Sequence, residues 1–507
     1  MKITRLSGLK RDTLMIEKKW SRPVAAKEGQ TIRAMTPKWG EITAGEIMTP
    51  IQGELISGGL DTVLAGLSTD TREIMPGQVF LALRGERFDG HDFLDKAVEK
   101  GASCLILEQG YPVHISAMGN ASILAVSDTL TALGDLAGWW RRSHPVRVAA
   151  VTGSMGKTTV KEMAASILGL SRKTLKNKGN LNNLIGLPLT ILSMDEGHDL
   201  AVLEMGMNRP GEIGRLTEIA DPDIGLITNV AKVHLEGVGD IMGVARAKAE
   251  LLYKISSEAR IIINGDDPLL WDVASPFRNR LMTYGTGPKN DIRATNVRDH
   301  GEEGVTFTLL YANHSIPIQI SVPGKHNLYN ALAASAIAIG MNVSSDNIIN
   351  GLKQYQGVKG RFTLIALRDG ITLVDDTYNA NPASLKAALD AAKTLAADKK
   401  RIIVGLGEMM ELGNETMSAH QEVGRLVAAV GASYLFVMGD HAREIIFGAL
   451  DAGFPWENAR AVQSHEEMSQ QIKNVVQHSD LILLKGSRKM RLELISESLK
   501  GLLSEEG

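Results

Sequence analysis

The feature that most restricts how this chain can fold is the segment Val151-Thr152-Gly153-Ser154-Met155-Gly156-Lys157-Thr158-Thr159, set between an apolar run and a helical pattern. The run Val146–Val151 reads as a buried strand, and the apolar spacing over 157–168 predicts a helix. Glycines between a strand and a helix let backbone N–H groups close around phosphate oxygens, and the helix N-terminus adds favourable partial charge. Gly153, Ser154, Gly156, Lys157, Thr158 and Thr159 are therefore the expected nucleotide-binding set. Lys157 would reach the β- and γ-phosphates, and Thr158 would offer its hydroxyl to Mg²⁺. The full phosphate-loop pattern has glycine at position 151, where this chain has valine, so a plain Gly-rich strand–helix turn is the alternative.

The surrounding pattern sets the fold class. Strand-like runs recur at Leu200–Leu203, Ile224–Thr228 and Arg260–Asn264, with helical patterns near 157–168, 211–219 and 241–256. Buried strands alternating with helices predict a doubly wound α/β domain. The breaker Arg141-Arg142-Ser143-His144-Pro145 marks its start and Gly360-Arg361 its end. Beyond it the alternation restarts at Ile371–Val374, Arg401–Val404, Leu435–Met438 and Leu481–Leu484, which predicts a Rossmann-like α/β unit. Ahead of it, Val79–Leu83 and Cys104–Leu107 read as strands, and Phe93–Lys100 and Thr129–Trp140 as helices. A chain of 507 residues has room for about three domains. The expectation is three α/β domains over 46–145, 146–362 and 363–507, after a leader of unknown role at 1–45 that lacks sustained periodicity.

Charge and cysteine usage exclude several functions. Lys+Arg 55 against Asp+Glu 58 is too balanced for a chain whose main partner is nucleic acid or an acidic membrane. The single cysteine, Cys104, cannot form an internal disulfide, which suits a reducing compartment. No apolar run approaches the roughly 18 residues of a membrane span, and the basic N-terminus lacks the apolar core of a signal peptide. A cytoplasmic enzyme is expected, with neither nucleic acid nor membrane as partner.

Other residues suggest chemistry. Glu204 ends the strand Leu200–Leu203, where ligands of open α/β sheets gather, and could bind Mg²⁺; a helix cap is the alternative. His234 lies on the loop beyond Ile224–Thr228, where an ordinary surface histidine is the alternative. Val244, Ala245, Leu251, Leu252 and Ile255 fall on one helix face, and Lys248 falls on the same face. Desolvation favours a neutral amine, which can take up CO₂ as a carbamate and become an anionic ligand for Mg²⁺; snorkelling at the helix edge is the alternative. Asn327 and Asn330 share a face and could read a purine edge or merely cap. Asn177, Asn180, Asn182 and Asn183 crowd one loop, which suits a sugar or peptide ligand or else a solvated turn.

In this order these elements resemble the Mur ligases, ATP-dependent amide-bond ligases that build the peptidoglycan stem peptide. The resemblance runs from about Asp70 to about Glu493. Four stretches resemble the member that adds D-alanyl-D-alanine to UDP-N-acetylmuramoyl-tripeptide: Gly179 to Thr190, Asp375-Asp376-Thr377-Tyr378-Asn379-Ala380-Asn381-Pro382, Gly407 to Gly413, and Lys485-Gly486-Ser487-Arg488. The Asp-Asn-Pro-Arg run of the meso-diaminopimelate-adding relative is absent from the sequence.

The resemblance implies roles for individual residues. Lys157, Lys248, His234 and Arg361 would be catalytic. Thr158, Glu204, His234 and a carbamylated Lys248 would hold two Mg²⁺ ions. Asn330 would face adenine, Asp376 the ribose and Arg361 the phosphates of ATP, with Asn327 also binding the nucleotide. Asp70, Thr71, Arg72, Asp89, Gly90 and His91 would bind the UDP moiety, with Thr71 replacing the family's usual serine but keeping a hydroxyl. Asn180, Asn182, Asn183, Tyr378, Asn379 and Asn381 would contact the other substrates. A monomer acting on UDP-N-acetylmuramoyl-tripeptide and D-alanyl-D-alanine is expected. Another Mur-type or folylpolyglutamate-type ligase, or a P-loop ATPase without ligase activity, is the competing reading.

Overall fold

Short apolar runs buried on both faces form the parallel strands at the centre of three separate sheets. The computed structural model describes residues 37–397 and 400–503, so most of the expected leader lies outside the described residues. The first sheet has the order Glu54–Ser57, Ser122–Val126, Cys104–Glu108, Val79–Leu81, Leu67–Ser68. Its Glu54–Ser57 strand pairs antiparallel with Ser122–Val126, and the other pairs are parallel.

The central sheet has nine strands. Arg147–Thr152 lies between Leu200–Glu204 and Ile224–Ile227, all parallel, so their carboxyl ends open on one crevice. Sequence reasoning missed the far end of this sheet. Ile292–Asp299, Val305–Tyr311 and His314–Ile320 form an antiparallel extension, buried on one face only. Apolar and polar residues alternate in Val305-Thr306-Phe307-Thr308-Leu309, the period of a half-buried strand rather than of the continuous apolar runs elsewhere.

The third sheet has six strands, with Thr372–Asp376, Leu481–Lys485, Ile402–Gly407, Tyr434–Met438 and Ala459–Val462 parallel in that order. Thr363–Ala366 closes one edge antiparallel. Helices Pro382–Ala396 and Thr416–Ala429 follow strands of this sheet, in a Rossmann-like order. The chain is thus three α/β units. Among the described residues, no helix is long and apolar enough to cross a membrane.

Residues 37–45 depart from the expected leader. Ile42, Ala44 and Ile47 are buried, and Thr43 caps the helix Ala44–Met48 through a capping box with Glu46. Trp39 stacks on Trp140 with ring centroids 4.6 Å apart, and its Nε1 donates to the Leu192 carbonyl. Trp140 in turn donates Nε1–H to the Met194 carbonyl. The core around Ile42 and Leu64 runs unbroken through this helix, Thr129–Ser143, into the central domain at Leu187, Leu216 and Leu251. Local periodicity gave no sign of this segment because its partners are non-local: its backbone bonds to Thr62 and Leu64, Trp39 stacks on Trp140, and the Trp39–Leu192 hydrogen bond spans 153 positions.

Trp140 is 1% exposed, so Trp140→Ala loses both a packed ring and a buried hydrogen bond. The substitution should cost about 3–5 kcal/mol, read from urea unfolding followed by circular dichroism. Trp39→Ala, which removes a half-buried ring, should cost less.

Candidate active site

The phosphate loop is shaped by two close approaches. Gly153 has φ 145°, and a Cβ there would lie 1.8 Å from Thr228 Oγ1. Gly156 has φ 81°, and a Cβ there would lie 2.3 Å from Asn330 Oδ1. Only glycine meets both the backbone angle and the space. The loop is tied to the next strand's end: Met155 N–H donates to Asn229 Oδ1, Thr228 Oγ1 donates to the Met155 carbonyl, and Ser154 Oγ accepts from Ala231 N–H. Lys157 starts the helix Lys157–Leu168, and its Nζ folds back onto the Gly153 carbonyl at 2.9 Å. Burial pushes the Lys157 amine below the usual lysine range, Glu204 opposes that shift, and Arg361 adds to it.

Glu204 is 2% exposed at the carboxyl end of its strand. Its Oε1 accepts from Asn182 Nδ2 at 2.8 Å, while its Oε2 is buried with no hydrogen-bond partner. A buried carboxylate oxygen without a donor is a suitable ligand for a hard cation. Among the described residues, no three His, Cys, Asp or Glu side chains gather closely enough to hold a metal alone. Mg²⁺ is commonly held by one or two carboxylates together with phosphate oxygens, and Glu204 beside the phosphate loop fits that pattern.

Lys248 lies on the buried face of helix Ile241–Lys254 at 2% exposure, which removes the snorkelling alternative. Burial holds its amine well below the usual lysine range, and the Lys157 charge lowers it further. His234 has φ 54°, and its Nδ1 is 2.5 Å from Glu411 Oε2 of the third domain. That hydrogen bond lowers the Glu411 carboxyl below its usual range. With Nδ1 engaged, only the other ring nitrogen of His234 is left to face a ligand.

The third domain closes over this crevice. Arg361 donates from Nη2 to Thr158 Oγ1 at 3.2 Å, and its guanidinium lies 3.9 Å from the Tyr378 ring centroid. Its Nε is buried without a partner. Asp376 accepts from Phe362 N–H through Oδ1 and from Lys485 Nζ through Oδ2 at 2.6 Å. Beside the phosphate loop, Asn330 Nδ2 donates to Asn327 Oδ1, and Asn327 Nδ2 to the Pro323 carbonyl.

One cavity of about 820 Å³ takes in most of the expected site: Ser154, Gly156, Lys157, Thr159, Asn180, Asn182, Asn183, Glu204, His234, Lys248, Asn327, Asn330, Arg361, Asp376, Tyr378, Asn379 and Asn381. Side chains from the central and third domains thus share one space.

Family models agree with this geometry domain by domain. The Mur ligase middle domain matches residues 151–338 and the Mur ligase glutamate ligase domain matches 360–488. The Mur ligase family catalytic domain matches 63–138. A UDP-N-acetylmuramoyl-tripeptide–D-alanyl-D-alanine ligase of Bacillus subtilis is 36% identical over 458 residues, covering 90% of this chain and 98% of the relative. The chain belongs to the Mur ligase family. A crystal structure of MurF from Acinetobacter baumannii superposes with a TM-score of 0.83 at 31% identity, covering 91% of this chain and 99% of that one. MurF ligase from Thermotoga maritima in complex with ADP superposes with a TM-score of 0.76 at 27% identity, covering 86% and 97%.

Several of the expected site residues of this Mur ligase lie outside that cavity. Gly153 and Thr158 are not among the residues lining the cavity, although Thr158 is partly exposed and its hydroxyl accepts from the lining residue Arg361. Asp70, Thr71, Arg72, Asp89, Gly90 and His91 do not line the cavity. Asp70 is paired with Arg72, whose hydrogen bonds hold its carboxyl down at about 2. His91 is buried and spends both ring nitrogens internally, Nδ1 on Asp89 and Nε2 on Glu108 N–H. It can place the Asp89 turn but has no ring nitrogen left for a ligand. Asn183 accepts from Gly186 N–H at the start of helix Gly186–Leu192, and Asn381 caps Pro382–Ala396 through Ser384 N–H. Each is a local cap as well as a wall residue.

Lys485, Glu411 and His326 also line the cavity and were not among the expected site residues. The signal for Lys485 was available: it is the one charged residue of the run Leu481-Ile482-Leu483-Leu484-Lys485, at a strand's carboxyl end. Burial lowers the Lys485 amine, and Asp376 opposes that shift. Lys485→Met should leave Asp376 as an uncompensated buried charge and cost about 3–5 kcal/mol. Adding Asp376→Asn should recover most of the loss, measured as a double-mutant cycle in urea.

Proposed function

We propose that this chain is an ATP-dependent ligase that joins D-alanyl-D-alanine to UDP-N-acetylmuramoyl-tripeptide, a step of peptidoglycan precursor synthesis in the cytoplasm. The observation that carries the reading is the single cavity in which the phosphate-loop Lys157, the orphan oxygen of Glu204 and the third-domain Arg361 meet. The identity to the Bacillus subtilis ligase along nearly its whole length supports the same substrate pair. A ligase that adds a different amino acid, or a P-loop ATPase with no acceptor, accounts less well for that match.

A carboxylate is a poor electrophile, so the γ-phosphoryl group of ATP is first transferred to the acceptor carboxylate, giving an acyl phosphate and ADP. Negative charge spreads over the transferring group, and Lys157 and Arg361, which both line the cavity at the phosphate loop, would offset it. Tyr378 supports the face of the Arg361 guanidinium and so helps to orient it. Glu204 and Thr158 would hold Mg²⁺, with His234 and a modified Lys248 contributing to a second ion. When bound, Mg²⁺ supplies Lewis-acid stabilisation of the same developing charge. The dipeptide amine then attacks the acyl carbon, a proton leaves the nitrogen, and inorganic phosphate departs as the amide forms. Closure of the third domain over the crevice keeps water from the acyl phosphate.

Lys248 is read as a carbamate in the working enzyme. Its neutral amine adds CO₂ and releases a proton, which replaces a buried neutral amine by an anion with two oxygens. Burial, the absence of a hydrogen bond to Lys248 among the described residues, and its place on the cavity wall support this.

Phosphate release in the presence of ATP, Mg²⁺, UDP-N-acetylmuramoyl-tripeptide and D-alanyl-D-alanine should vanish when any one is omitted; turnover without the dipeptide would contradict the ligase reading. Lys157→Ala should lose at least about 10³-fold in kcat while its circular dichroism is unchanged. Lys248→Ala should be nearly inactive and partly restored by added short carboxylates, whereas Lys248→Arg should not be. An alanine variant with normal turnover would leave Lys248 as a core residue.

A further inference from the structure

Lys161 lies one turn beyond Lys157 on the same helix, is 0% exposed, and does not line the cavity. It cannot touch nucleotide or acceptor, so it has to act through its neighbours. Its Nζ donates to the Asn177 carbonyl at 2.7 Å, lies 3.1 Å from Glu162 Oε1, and lies 3.9 Å from Glu204 Oε2. Glu204 Oε2 is the buried oxygen that has no hydrogen bond. Asn177 is itself 0% exposed and clamps the Glu204 backbone from both sides, accepting from its N–H and donating to its carbonyl at 2.9 Å each. Glu162 pairs with Lys161 through one oxygen and with Lys176 through the other, so two lysines share its single charge.

We infer that Lys161 is a positioning residue that serves Glu204 as a resident counter-ion, so that a divalent cation reaches this carboxylate only in company with phosphate oxygens. Unit charges a few ångströms apart interact strongly where water is excluded. With Lys157 and Arg361 nearby and Lys161 already beside Glu204 Oε2, a bare cation is repelled from this carboxylate in the nucleotide-free crevice. Nucleotide phosphates reverse that balance, and the cation then shares Oε2 with Lys161 rather than displacing it. The arrangement makes metal binding follow nucleotide binding, and it keeps a buried carboxylate paired when the site is empty. The inference rests on the assignment of Glu204 to the cation.

The test is Mn²⁺ binding to the full-length protein, followed by electron paramagnetic resonance with and without ADP. The parent should bind Mn²⁺ weakly alone and more tightly with ADP. Lys161→Gln keeps a donor for the Asn177 carbonyl but removes the charge, and should bind Mn²⁺ without nucleotide about tenfold more tightly than the parent. Lys161→Arg should behave as the parent does. Equal or weaker nucleotide-free binding by a Lys161→Gln chain that melts cooperatively would overturn the inference. If that variant does not fold, Lys161→Met takes its place and is read in the same way. Glu204→Gln separates the two layers of the argument: Mn²⁺ binding with ADP that survives this change removes the cation assignment and the counter-ion role with it. Loss of binding on Glu204→Gln together with no effect of Lys161→Gln removes the counter-ion role alone.

Discussion

The contact between Arg361 and the phosphate loop ties the functional part of the structure together. A guanidinium that begins in the third domain's connecting segment, rests on Tyr378 and ends on Thr158 joins two sheets whose strand ends would otherwise open on solvent. Other links hold the same closure. Lys232 pairs with Glu415, His234 meets Glu411, and Glu302 accepts from both Thr372 and Lys400. Each is modest and partly exposed, and singly such pairs contribute little. Together they fix where the third domain sits, and among the described residues its apolar core clusters stay separate from those of the other two domains. A site that must admit three substrates and then exclude water calls for this kind of closure.

Charge is concentrated in the crevice to an extent that the balanced composition hides. Lys157, Lys248, Lys485 and Arg361 all line one cavity, and burial lowers the amines of the three lysines. The cost of that desolvation is met differently at each. Lys485 has a carboxylate of its own in Asp376, Lys157 borrows a backbone carbonyl, and Lys248 has no hydrogen-bond partner among the described residues. The differences set Lys485, which carries its own carboxylate, apart from the two lysines that do not.

Much of the fold was legible because parallel strands buried on both faces leave continuous apolar runs, and the phosphate loop leaves a local signature. Arg147–Thr152, Leu200–Glu204 and Ile224–Ile227 fell where the runs lay, and so the carboxyl-end residues Glu204 and Lys157 could be placed. What escaped was set by distant partners or by shared duties. The antiparallel strands from Ile292 to Ile320 carry a weaker, alternating signal. Asparagines read as ligand groups turned out to cap helices as well, as Asn183 and Asn381 do, since the same amide serves either role and only the backbone around it decides. Glu411 could not be paired with His234 from sequence, because the pair spans 177 positions and two domains.

The tryptophan stack at the start of the described chain has a consequence for how the molecule divides. Because Trp39, Trp140 and the helix Thr129–Ser143 belong to one core with Leu187 and Leu216, the first two domains are a single mechanical body. The sheet that carries Asp70 and Asp89 is therefore held at a fixed distance from the phosphate loop, and a ligand bound across both is measured against a rigid ruler. A chimaera that exchanged the first domain at the Arg141–Pro145 breaker would cut away from the wrong side of that core. The natural seam for exchange lies at 355–362, where Gly357 and Gly360 adopt positive φ and the third domain begins.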